Sequence, residues 1–257
     1  MTENLTIDLN ADAGESFGRW QVADEPSLFP HLTSVNLACG FHAGDPLSMQ
    51  AAVELAKANH VAVGAHPGFP DKVGFGRRDL AASAVEVESD VLYQLGALQA
   101  FLNRAEMTMH HVKAHGSLYL KMMVDTVTAR AVAEAVAAFD VRLPLVVLAG
   151  EGGELMKKTA EGIGLRTVSE AFPDRAYLAN GQLAPRHLEG SVLNDAAHIA
   201  ERAVGLATGQ ALAALDGGEV SVQADTLCLH GDNPSAPKTA AAVRHALKEA
   251  GVSVAAF

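Results

Sequence analysis

Short runs of aliphatic and β-branched residues alternate with longer alanine-rich segments from one end of this 257-residue chain to the other. That alternation joins strands through helical crossovers, so the strands run parallel and are covered on both faces. The strand-like runs are Thr6–Asn10, Val35–Ala38, Val61–Ala65, His111–Lys113, Leu145–Leu148, Leu165–Val168 and Thr226–Leu229. Helical periodicity lies over Pro46–Asn59, Ala84–Ala105, Thr126–Phe139, Gly153–Glu161, Asp195–Ala214 and Pro234–Ala250. Asp45 before Pro46, Ser83 three residues before Glu86, and Asn233 before Pro234 mark helix starts. Phe172–Gly190 has no period and reads as a loop over the site, able to act as a lid. No linker or internal repeat divides the chain, which predicts one domain over 1–257.

Four of the apolar runs lead into a histidine and a tight-turn residue: NLACGFHAGDP at His42, VAVGAHPGFPD at His66, HHVKAHGSLY at His115 and DTLCLHGDNP at His230. The first run ends in Asp12 and Glu15 of IDLNADAGES. Strand C-terminal ends are where parallel α/β folds assemble active sites. An open sheet would gather such residues at one switch point, whereas here polar residues end nearly every strand, which favours a closed barrel and an enzyme.

Each candidate has a structural alternative. Asp12 and Glu15 can bind a metal or supply a general base, or they can cap the next helix. His42 can act in catalysis or rest in a satisfied scaffold, and Asp45 suits a helix cap. His66 precedes a Pro- and Gly-rich loop carrying Asp71, Arg77 and Arg78, whose paired arginines can grip a carboxylate or form surface ion pairs. Lys113 and His115 share strand parity, so both can enter one cavity, the lysine as a cationic clamp or a base of lowered pKa. His110 and His111 read as scaffold. His230 and Asp232 can orient each other or hold a ligand.

Composition removes other classes. The net charge of −11, with only 19 Lys and Arg, does not fit a nucleic-acid footprint. No apolar stretch has membrane-span length, and no secretory signal is visible, so a cytoplasmic location is expected. Cys39 and Cys228 lie in apolar runs without metal-ligand spacing and read as buried free thiols. Serine-hydrolase, P-loop and dinucleotide fingerprints are missing, leaving His, Asp and Glu as an inventory for water activation and for lactam, amide or ester hydrolysis.

The ordered motifs DLNADAGESFG, NLACGFHAGDP, VGAHPGFPDKVGFGRR, HVKAHGSLY, FPDRAY and LCLHGDNP together resemble the LamB/YcsF family, which is associated with the A component of prokaryotic 5-oxoprolinase. The resemblance implies an irregular seven-stranded β/α barrel of the glycoside hydrolase/deacetylase type. It also implies ATP-dependent opening of 5-oxoproline to glutamate, with Mg as the counter-ion of ATP and with B and C partner subunits; a homo-oligomer is compatible with it. It places Asp12, Glu15, His66, Lys113 and His115 in catalysis, and His42, Asp45, Arg77, Asp174, Arg175, His230 and Asp232 in substrate or nucleotide binding. Ala11 and Ala114 depart from the family's usual Cys and Pro. The NADAG motif is also similar to that of YdjC-type sugar deacetylases, which nominates Asp12, His66 and His115 as ligands of a divalent ion. Two other readings remain: a metal-dependent deacetylase or amidohydrolase acting without ATP, and a non-catalytic metabolite-binding subunit.

Overall fold

The computed structural model describes residues 5–231 and 233–257. Strands β1 (Thr6–Ala13), β2 (Ser34–Ala38), β3 (Ala62–His66), β4 (Met109–Val112), β5 (Leu145–Leu148) and β6 (Thr167–Ala171) pair in sequence order. A small antiparallel hairpin, β7 (Leu212–Ala213) with β8 (Glu219–Val220), precedes β9 (Thr226–Leu229). Strand β9 pairs in parallel with both β6 and β1, which closes a seven-stranded barrel, and β10 (Ser253–Val254) extends the start of β1. The irregularity lies at β4: its register on β3 shifts between Val63 and Ala65, and only Val112↔Leu145 pairs it with β5.

Helices α1 (Glu25–Leu28), α2 (Pro46–Ala58), α3 (Ala84–Arg104), α4 (Gly116–Met122), α5 (Thr126–Asp140), α6 (Glu154–Glu161), α7 (Ala196–Ala207) and α8 (Ala236–Glu249) join the strands. Two of the three capping signals hold: Asp45 accepts from Leu47 N and Ser48 N, and Ser83 and Glu86 form a reciprocal box. Helix α8 starts at Ala236 with Ser235 at its N-cap instead of at Pro234, because Asn233 Oδ1 accepts from Ser235 N at 3.0 Å in a turn before the helix. Helices α1 and α4 were not expected from periodicity, being one or two turns long. Helix α7 ends at Ala207 instead of Ala214, because Gly209 takes a left-handed φ of 73° and the chain turns into the β7–β8 hairpin. Strand β6 runs beyond the expected Leu165–Val168 to end at Ala171, so Glu170 becomes a strand residue.

Strand β1 shows how the barrel is built. Ile7, Leu9, Ala11 and Ala13 belong to the apolar core, while Asp8 and Asn10 are buried at the alternate positions and bond to residues of other barrel strands. The interior therefore carries hydrogen-bonding groups. Asp8 accepts from Thr33 Oγ1 at 2.6 Å, Ser34 Oγ at 2.8 Å and Thr226 Oγ1 at 2.5 Å. Asn10 Nδ2 donates to Thr226 Oγ1 at 2.6 Å and Glu170 Oε1 at 3.2 Å. Among the described residues no helix is long and apolar enough to cross a membrane.

Gly64 on β3 makes room for the His111 ring, and a Cβ built there overlaps it. Gly64→Ala is expected to cost about 1–3 kcal/mol of stability by overpacking, measured as a lowered urea midpoint at unchanged m-value.

Candidate active site

The strand ends deliver their side chains to a cavity of about 490 Å³ at one end of the barrel. Asp12, His66, Lys113 and His115 line it together with Tyr119, Leu120, Met123 and Val124 from the α4 region. Phe172, Arg175, Leu183, Pro185 and Arg186 form another wall, and Arg77 and His230 complete the polar lining.

Lys113 sits at the centre, 2% exposed. Its Nζ lies 3.0 Å from Asp12 Oδ1, 2.8 Å from Glu170 Oε1 and 3.0 Å from Cys228 Sγ. An ammonium has three protons, so each has a partner. Burial opposes the charge, but Asp12 and the other neighbours outweigh it and push the lysine pKa well above the usual range. Lys113 is thus a permanent cation and not a base of lowered pKa. Asp12 titrates well below the carboxylate range: burial works upward, and His66 and Lys113 overcome it. Its Oδ1 accepts from Lys113 and from Asn36 Nδ2 at 2.9 Å, while Oδ2 faces His66 Nε2 at 3.3 Å. Glu170 is buried, and burial pushes its carboxyl pKa upward.

The histidines are oriented from behind. His66 Nδ1 bonds the main-chain oxygen of Lys113 at 2.8 Å, and His115 Nε2 bonds that of Phe75 at 2.8 Å. A carbonyl only accepts, so each of these nitrogens carries a proton. The other two nitrogens, His66 Nε2 and His115 Nδ1, face each other at 3.0 Å. His42 stacks on His115 with centroids 3.7 Å apart, and neither of its ring nitrogens has a hydrogen-bond partner. Burial, and then the neighbouring rings, push His42 and His115 well below the usual histidine range, which keeps them neutral. Glu15 Oε1 lies 3.4 Å from His42 Nε2 and 3.6 Å from His115 Nδ1.

One atom each from Glu15, His42, His66 and His115 falls within 4.8 Å of the others, so these four residues could hold a metal ion. Three imidazoles and a carboxylate, with two rings tied to carbonyls, suit a divalent first-row ion. This set shares His66 and His115 with the expected triad; Asp12 stands beside it at His66.

Across the cavity, His230 gives both its main-chain N, at 3.1 Å, and its Nδ1, at 2.8 Å, to Asp174 Oδ2. Asp232, expected as its partner, lies outside the described residues. Burial and then Arg186 lower the Arg175 guanidinium pKa to about 10, and its hydrogen bonds go to the carbonyls of Ser191 and Ala184. The Phe172–Gly190 stretch is a built wall: bridges join Arg175 to Val192 and Tyr177 to Leu183, and the buried Tyr177 hydroxyl accepts from Phe172 N at 2.8 Å. Arg77 lines the cavity, whereas neighbouring Arg78 is committed to Asp71. Asp45 caps α2 and accepts from Gly18 N at 2.7 Å, which with the Ser48 main chain holds its pKa at about 2. It is not part of the cavity lining. Glu170, Tyr119 and Asn36 were not singled out from the sequence. For Glu170 and Asn36 the available signal was a polar residue inside an apolar strand.

The sequence pattern of the LamB/YcsF family matches residues 7–257. A relative from Thermus thermophilus, named as the A component of 5-oxoprolinase, is 58% identical over 98% of this chain and 100% of its own. One of the same name from Deinococcus radiodurans is 52% identical over 99% of this chain and 98% of its own. The crystal structure of a lactam utilization protein, also from Thermus thermophilus, superposes with a TM-score of 0.92 at 56% identity, covering 98% of this chain and 100% of that one. The chain belongs to the LamB/YcsF family.

Replacing Lys113 by Met leaves Asp12 and Glu170 facing each other without the cation between them. Loss of one partner from such a buried cluster is expected to cost about 3–5 kcal/mol, read by urea unfolding at pH 7.

Proposed function

We propose that this LamB/YcsF-family chain opens the lactam ring of 5-oxoproline to give L-glutamate, as the A component of an ATP-dependent assembly with B and C partners. The single observation that supports it best is the near full-length identity to relatives bearing that name, joined to a cavity whose chemistry suits a lactam acid. Arg175 is a buried cation whose hydrogen bonds reach only carbonyls, so a substrate carboxylate is its natural complement. ATP and its Mg counter-ion are assigned to the whole assembly, because this chain carries no P-loop. In the same reading the protein is cytoplasmic and the chain 1–257 is one domain.

A divalent ion held by Glu15, His42, His66 and His115 supplies Lewis-acid polarisation when bound. The remaining work belongs to side chains. Asp12 presents Oδ2 to the cavity while Lys113 and Asn36 hold Oδ1, which suits it to take the proton of the attacking water. As a cationic clamp, Lys113 would donate to the developing oxyanion. Its three protons are already engaged, so its part is to keep Asp12 ionised and in place. The proton that Asp12 takes from the water is then available to the leaving lactam nitrogen, and His230, with Nδ1–H held on Asp174, turns Nε2 to the substrate as an acceptor. Arg77 stands at the same cavity wall as a second contact for the anionic substrate.

Reconstitution with the B and C partners tests this reading. Glutamate formation coupled to ATP cleavage should fall roughly a hundredfold or more in Asp12→Ala, His66→Ala and His115→Ala, while Arg175→Met should chiefly raise KM. Near wild-type turnover in the first three variants would sink the site assignment. Turnover of small amides by this chain alone with added divalent metal would favour the deacetylase reading. Independently, the chelator-stripped chain should bind one divalent ion by calorimetry, and His66→Ala should weaken that binding.

A further inference from the structure

Below Asp12 the barrel interior continues into a column of groups that the proposed chemistry does not use. His111 Nε2 lies 2.7 Å from Asn36 Oδ1, the Nδ1 atoms of His110 and His111 are 3.0 Å apart, and His110 Nε2 is 2.9 Å from the main-chain oxygen of Phe257. Asn36 joins this column to the site, its Nδ2 donating to Asp12 Oδ1 at 2.9 Å and to Asn10 Oδ1 at 2.8 Å.

The proton positions follow by elimination. Reversing the Asn36 amide would set its oxygen against an ionised carboxylate and a second amide oxygen, so Oδ1 is the atom that faces His111. Asn10 cannot be reversed to relieve this, because its Nδ2 serves Glu170 Oε1 and also Thr226 Oγ1, whose own proton goes to Asp8. Asn36 Oδ1 and Phe257 O are both acceptors. His111 and His110 must therefore each carry a proton on Nε2, and in neutral rings that leaves two Nδ1 lone pairs in contact. Three contacts need three protons, and two neutral imidazoles bring two.

We propose that His111 is the positioning residue of Asp12, acting through Asn36, and that it takes up one further proton in common with His110. The Nε2–H of His111 is present whether or not that proton is bound, so Asn36 is held in both states. Burial, the main opposing influence, together with Arg166 near His110 and Lys113 and His66 near His111, disfavours the charge. The Phe257 oxygen and then Asp8 near His110, and Asp12 near His111, favour it. The Phe257 ring packs against both imidazoles, with centroids 4.7 and 5.3 Å away. Burial dominates, so the shared proton binds below the ordinary histidine range.

The positioning role rests on the reading of Asp12 given above; the proton count does not. Ring-nitrogen NMR on the purified chain should show both Nε2 atoms protonated at neutral pH. On acidification both Nδ1 signals should move together in one single-proton step. Rings that titrate independently, or a bare Nε2 on His111 at neutral pH, would overturn the proton count. In the reconstituted assembly, His111→Phe should lower kcat about tenfold or more with KM little changed, since a small misplacement of a reactive group has that effect. His111→Gln, whose amide can still donate to Asn36, should recover most of it and keeps the test open if the phenylalanine variant does not fold. Wild-type kcat in His111→Phe, or no recovery in His111→Gln, would overturn the positioning role. Failure of the wild-type assembly to turn over 5-oxoproline would instead strike the proposed function and leave the NMR result standing.

Discussion

One ammonium group organises the interior of this barrel. Lys113 lies where residues of β1, β6 and β9 converge, and its Nζ touches Asp12, Glu170 and Cys228, one from each of those strands. A buried charge is tolerated only when it is paired and hydrogen-bonded. Here the pairing works in both directions: the carboxylates keep the lysine charged, and the lysine keeps Asp12 ionised inside a protein. The group that fixes the barrel's centre is therefore the group that keeps a buried carboxylate at the cavity ionised.

Around that centre, polar satisfaction replaces the apolar layers with which a β/α barrel more often fills its interior. Asp8, Asn10, Asp12, Asn36, Glu170 and Thr226 bond to one another across strands that are far apart in sequence. Such a network has little freedom, because reversing one amide exposes acceptor to acceptor at the next position. Rigidity at the site is thus a consequence of hydrogen-bond accounting below it, while hydrophobic burial acts on the outer face of the strands.

The alternation of strands and helices, the caps at Asp45 and Ser83, and the convergence of His66, Lys113 and His115 were legible because each depends on local spacing. What was hidden depends on tertiary placement. His230 has its partner 56 positions away in Asp174, and Arg175 is buried by a loop whose order comes from Tyr177 and Ser191. Glu170 escaped notice because the strand runs beyond its apolar run, and α4 because seven residues are too few for a helical period to declare itself. His110 and His111 read as scaffold because nothing in the sequence shows that Asn36 would meet one of them.

The barrel contains the same two-ring arrangement twice, and the surroundings decide what each can hold. At the mouth, His66 and His115 face each other at 3.0 Å with their outer nitrogens tied to carbonyls; at the floor, His110 and His111 do so at the same distance. Ring nitrogens so placed can share a cation between or beside them. At the mouth the flanking groups are carboxylates, Glu15 Oε1 at 3.6 Å from His115 and Asp12 Oδ2 at 3.3 Å from His66, and a third imidazole stacks above. That negative field and donor set fit an ion of charge two. At the floor the outer partners are the Asn36 amide oxygen and an oxygen of Phe257, and among the described residues no third imidazole or carboxylate completes a donor set for a metal ion there. A single geometric device thus suits two cations, with the surrounding donor set as the selector.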